Sequence, residues 1–168
     1  LPNVTALSPS TIRAGDTLTL TGTDLDLVKD ITFQVGVRDT ITFKAKQTAT
    51  SIKIKVPADA QDGAIIIRPA SLVEVATPAL TMVVPEITSF DNPGKNNGTI
   101  EITGTNLDLV TSVVFKSSDE EGTTGEIQAG GSATSITVKI PEDAVEGTVT
   151  LNTGSGKSVS TGTPLELV

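Results

Sequence analysis

The stretch TGTDLDLVKDITF at 21–33 returns as TGTNLDLVTSVVF at 103–115, 82 residues later. An internal repeat at such a period constrains the fold more than any other feature, because the chain must accommodate the same supersecondary unit twice. The repeat continues well beyond this stretch. PNVTALSP (2–9) matches PEITSFDNP (85–93), and LTLTGTDLDLVKDITF (18–33) matches IEITGTNLDLVTSVVF (100–115). ATSIKIKVPADAQDGAIII (49–67) matches ATSITVKIPEDAVEGTVTL (133–151), and VATPALTMV (75–83) matches VSTGTPLELV (159–168). Order and spacing agree within a residue or two. The sequence therefore reads as two copies of one small domain, 1–84 and 85–168, meeting at Val84–Pro85 without a Gly/Ser linker. So short a connection limits relative motion and predicts a stiff pair.

Inside each copy the apolar period is two. Leu18 and Leu20 alternate with Thr17, Thr19 and Thr21, and Ile52, Ile54 and Val56 alternate with Ser51, Lys53 and Lys55. Ile136, Val138 and Ile140 do the same in the second copy. This is the pattern of strands with one buried and one wet face. Turn residues punctuate the strands at SPSTIRAGD, GTDLD, PADAQDG, DNPGKNNG and PEDAVEG. PADAQDG and PEDAVEG suit a single helical turn, with Pro first and Gly last. The expected fold is all-β: two tandem antiparallel sandwiches with small aliphatic cores. Phe33, Phe43, Phe90 and Phe115 are expected to be the largest core side chains.

Composition excludes several kinds of chemistry. The chain has no Cys and no His, hence no disulfide, no thiolate nucleophile, no imidazole base and none of the usual zinc ligands. No apolar run is long enough to span a membrane as a helix. The net charge of −8 lies wholly in the second half: residues 1–84 hold eight basic and eight acidic residues, residues 85–168 four and twelve. Neither half attracts a phosphate backbone at long range, so nucleic acid is not an expected partner. Because the chain opens on Leu1 rather than Met, a targeting segment is expected to be missing from it.

The pattern resembles the IPT/TIG domains, immunoglobulin-like modules of E-set type. The resemblance rests on the Pro-led first strand, on AGDTLTLTGTDLDLVKDITF and TSIKIKVPADAQDG, and on GTIEITGTNLDLVTSVVF and TSITVKIPEDAVEG in the second copy. It covers essentially the whole chain. The phrasing is also similar to modules of Bacteroidetes outer-membrane lipoproteins, where such domains stand between a lipid anchor and a glycan-binding domain. The resemblance implies a non-catalytic spacer on the outer face of the outer membrane, with polysaccharide or outer-membrane transport proteins as partners of the parent chain. A monomer is expected. The family's DNA-binding members use basic loops. The matching loops here, GTDLD, DNPGKNNG and KSSDEEGTTGE, are not basic, so DNA binding is not carried over.

Four stretches qualify as candidate sites. The repeated TGT(D/N)LDLV places Asp24 and Asp26, or Asn106 and Asp108, at a corner where calcium is conceivable. Calcium takes six to eight oxygens, however, and the first Asp becomes Asn in the second copy. A structural corner needs less. Gly22 or Gly104 ends a strand where a side chain would obstruct the bend, Asp24 or Asn106 caps a turn through its side chain, Leu25 or Leu107 folds back under the sheet as a plug, and Asp26 or Asp108 holds the next turn. SSDEEG (117–122) is the densest acidic run, either a contributor to a calcium site or, as the preferred reading, a solvated hairpin tip. Lys44, Lys46, Lys53 and Lys55 alternate on two neighbouring strand candidates, either as a basic stripe for an anionic glycan or as a wet, Lys-protected edge. NTGSGKS (152–158) has Asn152 where a phosphate loop needs Gly and no helix after it, which leaves a hairpin turn. No catalytic, metal or cofactor-binding residue is assigned and no cofactor is expected. Direct carbohydrate or protein binding by the modules is the alternative function. The absence of Trp and Tyr, the usual sugar platforms, counts against it.

Overall fold

The computed structural model describes residues 1–34, 38–39 and 43–168. The chain divides into two compact units, Leu1–Val83 and Val84–Val168.

Unit 1 contains β1 (Asn3–Ser8), β2 (Thr11–Ile12), β3 (Thr17–Thr23), β4 (Val28–Thr32), β5 (Arg38–Asp39), β6 (Ser51–Lys55), β7 (Gly63–Pro69) and β8 (Val75–Met82). Among the described residues they form two sheets, β1-β3-β6 and β2-β8-β7-β4-β5. All pairings are antiparallel except β2 with β8, where Thr11 lies opposite Thr81 in a parallel bridge. The alternation sets which face is buried. Leu18, Leu20, Ile52 and Ile54 face inward from the small sheet, and Val28, Ile31, Ile65, Ile67 and Leu80 from the large one. The residues between them on β3 and β6 stay wet. Each fully buried aliphatic contributes roughly 1.5–3 kcal/mol.

Unit 2 contains β9 (Glu86–Phe90), β10 (Thr99–Thr105), β11 (Val110–Phe115), β12 (Thr123–Ile127), β13 (Ser135–Lys139), β14 (Thr150–Thr153) and β15 (Ser158–Ser160). Its strands follow the same course as those of unit 1, but they join into one sheet of order β15-β14-β11-β12-β13-β10-β9. The join is β12, whose Gly125 pairs with Val113 of β11 while Glu126 and Ile127 pair with β13. Crossing between layers brings the β12 backbone hard against Phe115. A Cβ at Gly125 would sit 2.8 Å from the Lys139 carbonyl oxygen, so only glycine fits the crossing.

Phe33, Phe43 and Phe115 are buried as expected, but Phe90 is only half-buried and packs at the margin of its core. Its counterpart in unit 1 is Leu7, which is buried. PADAQDG and PEDAVEG are not helical. Each makes one tight turn, in which Ala60 N–H donates to Pro57 O and Ala144 N–H to Pro141 O. One hydrogen bond followed at once by a strand start or bridge leaves no room for a second helical bond.

Two polar devices are invisible to the hydrophobic pattern. The first is shared by both units. Buried Thr77 Oγ1 accepts the Ile65 N–H at 3.0 Å, and buried Thr161 Oγ1 accepts the Val149 N–H at 3.0 Å. The second differs between them. In unit 1, Asp30 and Arg68 are cross-strand partners, and Arg68 Nε donates to Asp30 Oδ2 at 3.1 Å. In unit 2 the same register pairs Ser112 with Asn152, whose Nδ2 donates to Ser112 Oγ at 3.2 Å. An ion pair in one copy is thus a neutral hydrogen bond in the other. Asp30 is only 8% exposed, so truncating its partner strands a buried charge. Arg68→Ala is expected to cost about 3 kcal/mol of unit 1 stability, while the double change Asp30→Ser, Arg68→Asn recovers most of it. Urea unfolding of the two variants checks this, and equal losses in both would sink the account.

Candidate functional site

The repeated corner has the same backbone geometry in both copies. β3 runs into a one-turn helix, Leu25–Leu27, and β10 into Leu107–Leu109. Asp24 and Asn106 both sit at φ 54°, ψ 26°, in the left-handed region that Asp and Asn tolerate better than most residues. The hydrogen bonds repeat one for one. Gly22 N–H donates to Thr50 O and Gly104 N–H to Thr134 O, each at 3.0 Å. Leu25 N–H donates to Ala49 O and Leu107 N–H to Ala133 O, each at 2.9 Å. Leu27 N–H closes on Asp24 O and Leu109 N–H on Asn106 O, each at 3.1 Å.

Gly22 does not end its strand. It lies within β3 opposite a bulge in β1, and a Cβ there would collide with the Asn3 carbonyl oxygen. Gly104 meets the Glu86 carbonyl oxygen in the same way. Leu25 and Leu107 turn inward and are completely buried, as a plug requires. The side-chain cap expected of Asp24 and Asn106 is not made: neither forms a side-chain capping hydrogen bond. Their contribution is the left-handed backbone, which explains why Asp and Asn interchange there. Asp26 and Asp108 are exposed. Among the described residues no three carboxylates converge as a metal site would need. The motif forms a bend, a plug and three backbone bonds.

The other candidates also fall on defined elements. SSDEEG forms the tip between β11 and β12, where Gly122 N–H donates to Asp119 O at 3.2 Å and Ser117 Oγ accepts the Asp119 N–H at 3.1 Å. Asp119, Glu120 and Glu121 are exposed there. NTGSGKS turns β14 into β15, with Thr153 N–H donating to Lys157 O at 2.9 Å and Gly156 at φ 77°. No helix follows it. Lys53 and Lys55 lie on β6 as expected. Lys44 and Lys46 do not lie on a strand, because that segment forms a one-turn helix, Lys44–Lys46, before the chain reverses into β6. All four lysines are exposed.

The half-buried Phe90 lines a shallow groove of about 380 Å³ with Ile87, Thr88, Ser89, Asn92 and Thr163. The groove follows from how unit 2 ends. β8 continues to Met82 in unit 1, but β15 stops at Ser160. Asn92 holds the segment beyond β15, its Nδ2 donating to Pro164 O at 3.0 Å and its Oδ1 accepting the Glu166 N–H at 2.8 Å. The lining is neutral and part aromatic, suited to weak, uncharged contacts rather than to acid–base chemistry.

Two clamps were not legible in the sequence. Gln47 Nε2 donates to Leu25 O at 2.7 Å and to Val28 O at 2.8 Å, pinning the corner of unit 1. Asn96 Nδ2 lies within hydrogen-bond reach of the Pro141, Glu142 and Ala144 carbonyls, fastening the PEDAVEG turn of unit 2. Each exists in one copy only, so the repeat carries no signal for either. Thr77 and Thr161 do carry one, since Thr recurs at the same place in both copies.

Residues 2–76 match the family described as the IPT/TIG domain. No curated protein matches the chain. Among solved structures, the chain is similar to SGBP-B of the Bacteroides ovatus mixed-linkage glucan utilization locus, in complex with a mixed-linkage heptasaccharide. The identity is 22% over 95% of this chain and 43% of that one, with a TM-score of 0.41. It is similar to the surface glycan-binding protein PbSGBP-B from Prevotella bryantii, at 20% identity over 96% of this chain and 41% of that one, with a TM-score of 0.46. It is also similar to the full extracellular region of plexin A4, at 17% identity over 100% of this chain and 16% of that one, with a TM-score of 0.45. The chain thus spans less than half the length of each of these structures.

If the corner is architectural, its energy sits in the plug and not in the carboxylates. Leu25→Ala and Leu107→Ala are each expected to cost about 2–5 kcal/mol, the range for a buried Leu truncation. Asp24→Asn, which copies unit 2, is expected to change stability by less than about 0.5 kcal/mol. Denaturant melts with and without calcium decide the matter. A small Leu effect, or a calcium-dependent Asp24 effect, overturns the architectural assignment.

Proposed function

We propose, from the premise that residues 2–76 form an IPT/TIG domain, that residues 85–168 form a second and that the pair is a non-catalytic cell-surface module. Its role is to hold a glycan-binding domain of an outer-membrane polysaccharide-uptake lipoprotein away from the cell surface, as a stiff spacer. One observation carries the reading: the two copies share a framework, while several of the charged side chains on their surfaces differ. The recurring residues include the corner glycines, the Leu plugs and the buried Thr77 and Thr161, each occupied with packing or backbone bonds. A duplicated binding site would repeat its charged groups, and here the exposed Lys29, Lys44 and Lys53 of unit 1 give way to Thr111, Gln128 and Thr137. The connection supports stiffness, since β8 ends at Met82 and β9 begins at Glu86. No helix among the described residues is long and apolar enough to cross a membrane. Polysaccharide and outer-membrane transport proteins, reached through the parent chain, are the partners this role implies.

A second reading, direct carbohydrate binding by the modules, has Phe90 in its favour: an aromatic ring in an open, neutral groove offers the sort of apolar platform a sugar needs. Calorimetry with a neutral β-glucan hexasaccharide separates the two. The spacer reading expects heat from the full-length parent and none from the two-unit chain. Binding by the two-unit chain that Phe90→Leu removes would transfer the function to the groove. Stiffness has its own readout, because ¹⁵N relaxation should give both units one tumbling time.

A further inference from the structure

The two copies differ most in charge on one sheet face. On the outer face of β1-β3-β6, Thr17 lies opposite Lys55, Thr19 opposite Lys53 and Thr21 opposite Ser51. Among the described residues β6 is the last strand of that sheet. The one-turn helix Lys44–Lys46 packs beside β6, and the chain reverses between them through a Gln47–Ile52 bridge and a 2.8 Å bond from Thr48 N–H to Ser51 O. That reversal returns the segment bearing Lys44 and Lys46 to the side of β6, which bears Lys53 and Lys55. All four ammonium groups are exposed, and among the described residues none has a carboxylate within ion-pair distance. Like charges set side by side repel, so the arrangement costs free energy unless an anion joins it.

Unit 2 supplies the control within the same chain. There Thr99 lies opposite Lys139, Glu101 opposite Thr137 and Thr103 opposite Ser135. Thr137 stands where unit 1 has Lys53, and Gln128 and Gly130 stand where it has Lys44 and Lys46. Glu101 adds a carboxylate, bonded by Ser135 Oγ at 2.7 Å. The fold therefore does not require the lysines, since its other copy forms the same strands without three of them.

We propose that this face of unit 1 binds an acidic polysaccharide. The anionic groups of the sugar chain, uronate carboxylates or sulfate esters, pair with Lys44, Lys46, Lys53 and Lys55, while Thr17 and Thr19 hydroxyls bond its hydroxyl groups. The face suits such a ligand for three reasons. It is an extended strand surface, with the two β6 lysines about 6.6 Å apart along the strand, so a linear polymer can engage both. It offers hydroxyls and ammonium groups but no apolar or aromatic anchor, which a protein partner or single-stranded nucleic acid would use. The chain as a whole carries −8, which opposes long-range attraction to duplex DNA or an anionic bilayer, whereas a short acidic oligosaccharide within a Debye length meets only the local lysines.

The test is a ¹⁵N chemical-shift titration of the two-unit chain at low salt with a galacturonate hexamer, a sulfated hexasaccharide and neutral maltohexaose. Shifts are expected with one or both acidic sugars, confined to residues 17–21 and 44–55, and none with the neutral one. The variant Lys44→Gln, Lys53→Thr installs unit 2's residues and keeps the fold; it should bind roughly tenfold more weakly. Raising salt from about 20 to 200 mM should weaken wild-type binding more than that of the variant. Equal shifts with maltohexaose, equal shifts on the Glu101 face, an unaffected variant, or tighter binding to duplex DNA or anionic vesicles would each overturn the proposal. None of these outcomes bears on the spacer reading, which is tested with neutral glycans and the full-length parent.

Discussion

Each unit depends on one crowded crossing. Where β3 passes β1, the backbone at Gly22 lies so close to the Asn3 carbonyl that no side chain fits, and Gly104 stands in the same relation to Glu86. The close approach lets the chain enter a left-handed residue two positions later and turn Leu25 or Leu107 beneath the sheet. That turn delivers β4 or β11 to the opposite layer with its apolar residues inward. A larger side chain at the glycine would push apart the strand pair whose register the rest of the core uses. The identity of TGT(D/N)LDLV across the two copies follows from this crowding and needs no ligand.

Around that fixed crossing the two copies solve the same local problems with different chemistry. A buried cross-strand position is filled by Asp30 with Arg68 in one unit and by Ser112 with Asn152 in the other. Each pair is bonded across the strands, through Asp30 Oδ2 in one unit and Ser112 Oγ in the other, and the neutral version avoids desolvating charge. Side-chain amides brace different loops: Gln47 the corner of unit 1, Asn96 the turn after β13 in unit 2. By contrast, the N–H of Ile65 or Val149 is satisfied by a Thr hydroxyl in both, because a buried, unpaired donor costs about 1–3 kcal/mol wherever it occurs.

The surfaces diverge further. Unit 1 presents lysines on the outer face of its small sheet, and unit 2 presents Glu101 with a single lysine on the matching face. Unit 2 opens a neutral groove at Phe90, whose counterpart in unit 1, Leu7, is buried. A duplicated framework leaves each exterior to acquire contacts of its own. Function on such a scaffold belongs to individual surfaces and not to the fold.

The strands were legible because period-two alternation is a local property. Leu18, Leu20, Ile52, Ile54, Ile136 and Val138 had one face to occupy whatever their partners. The repeat, with its Gly, Leu and Asp/Asn, located both corners for the same reason. What the sequence left open depended on residues far apart in the chain. Whether Phe90 is sealed depends on where a strand some seventy residues later stops, and whether Lys44 sits on a strand depends on how the chain reverses at Gln47 and Thr48. The role of Asp24 and Asn106 also lay beyond composition, since a side-chain cap and a left-handed backbone favour the same two residue types. The sequence by itself determined the duplication, the all-β class, the buried faces and the absence of thiol and imidazole chemistry. Only the tertiary structure decided the joining of unit 2 into one sheet, the Asp30–Arg68 pair and the return of the Lys44–Lys46 turn to the side of β6, because each is a meeting of segments that no local pattern links.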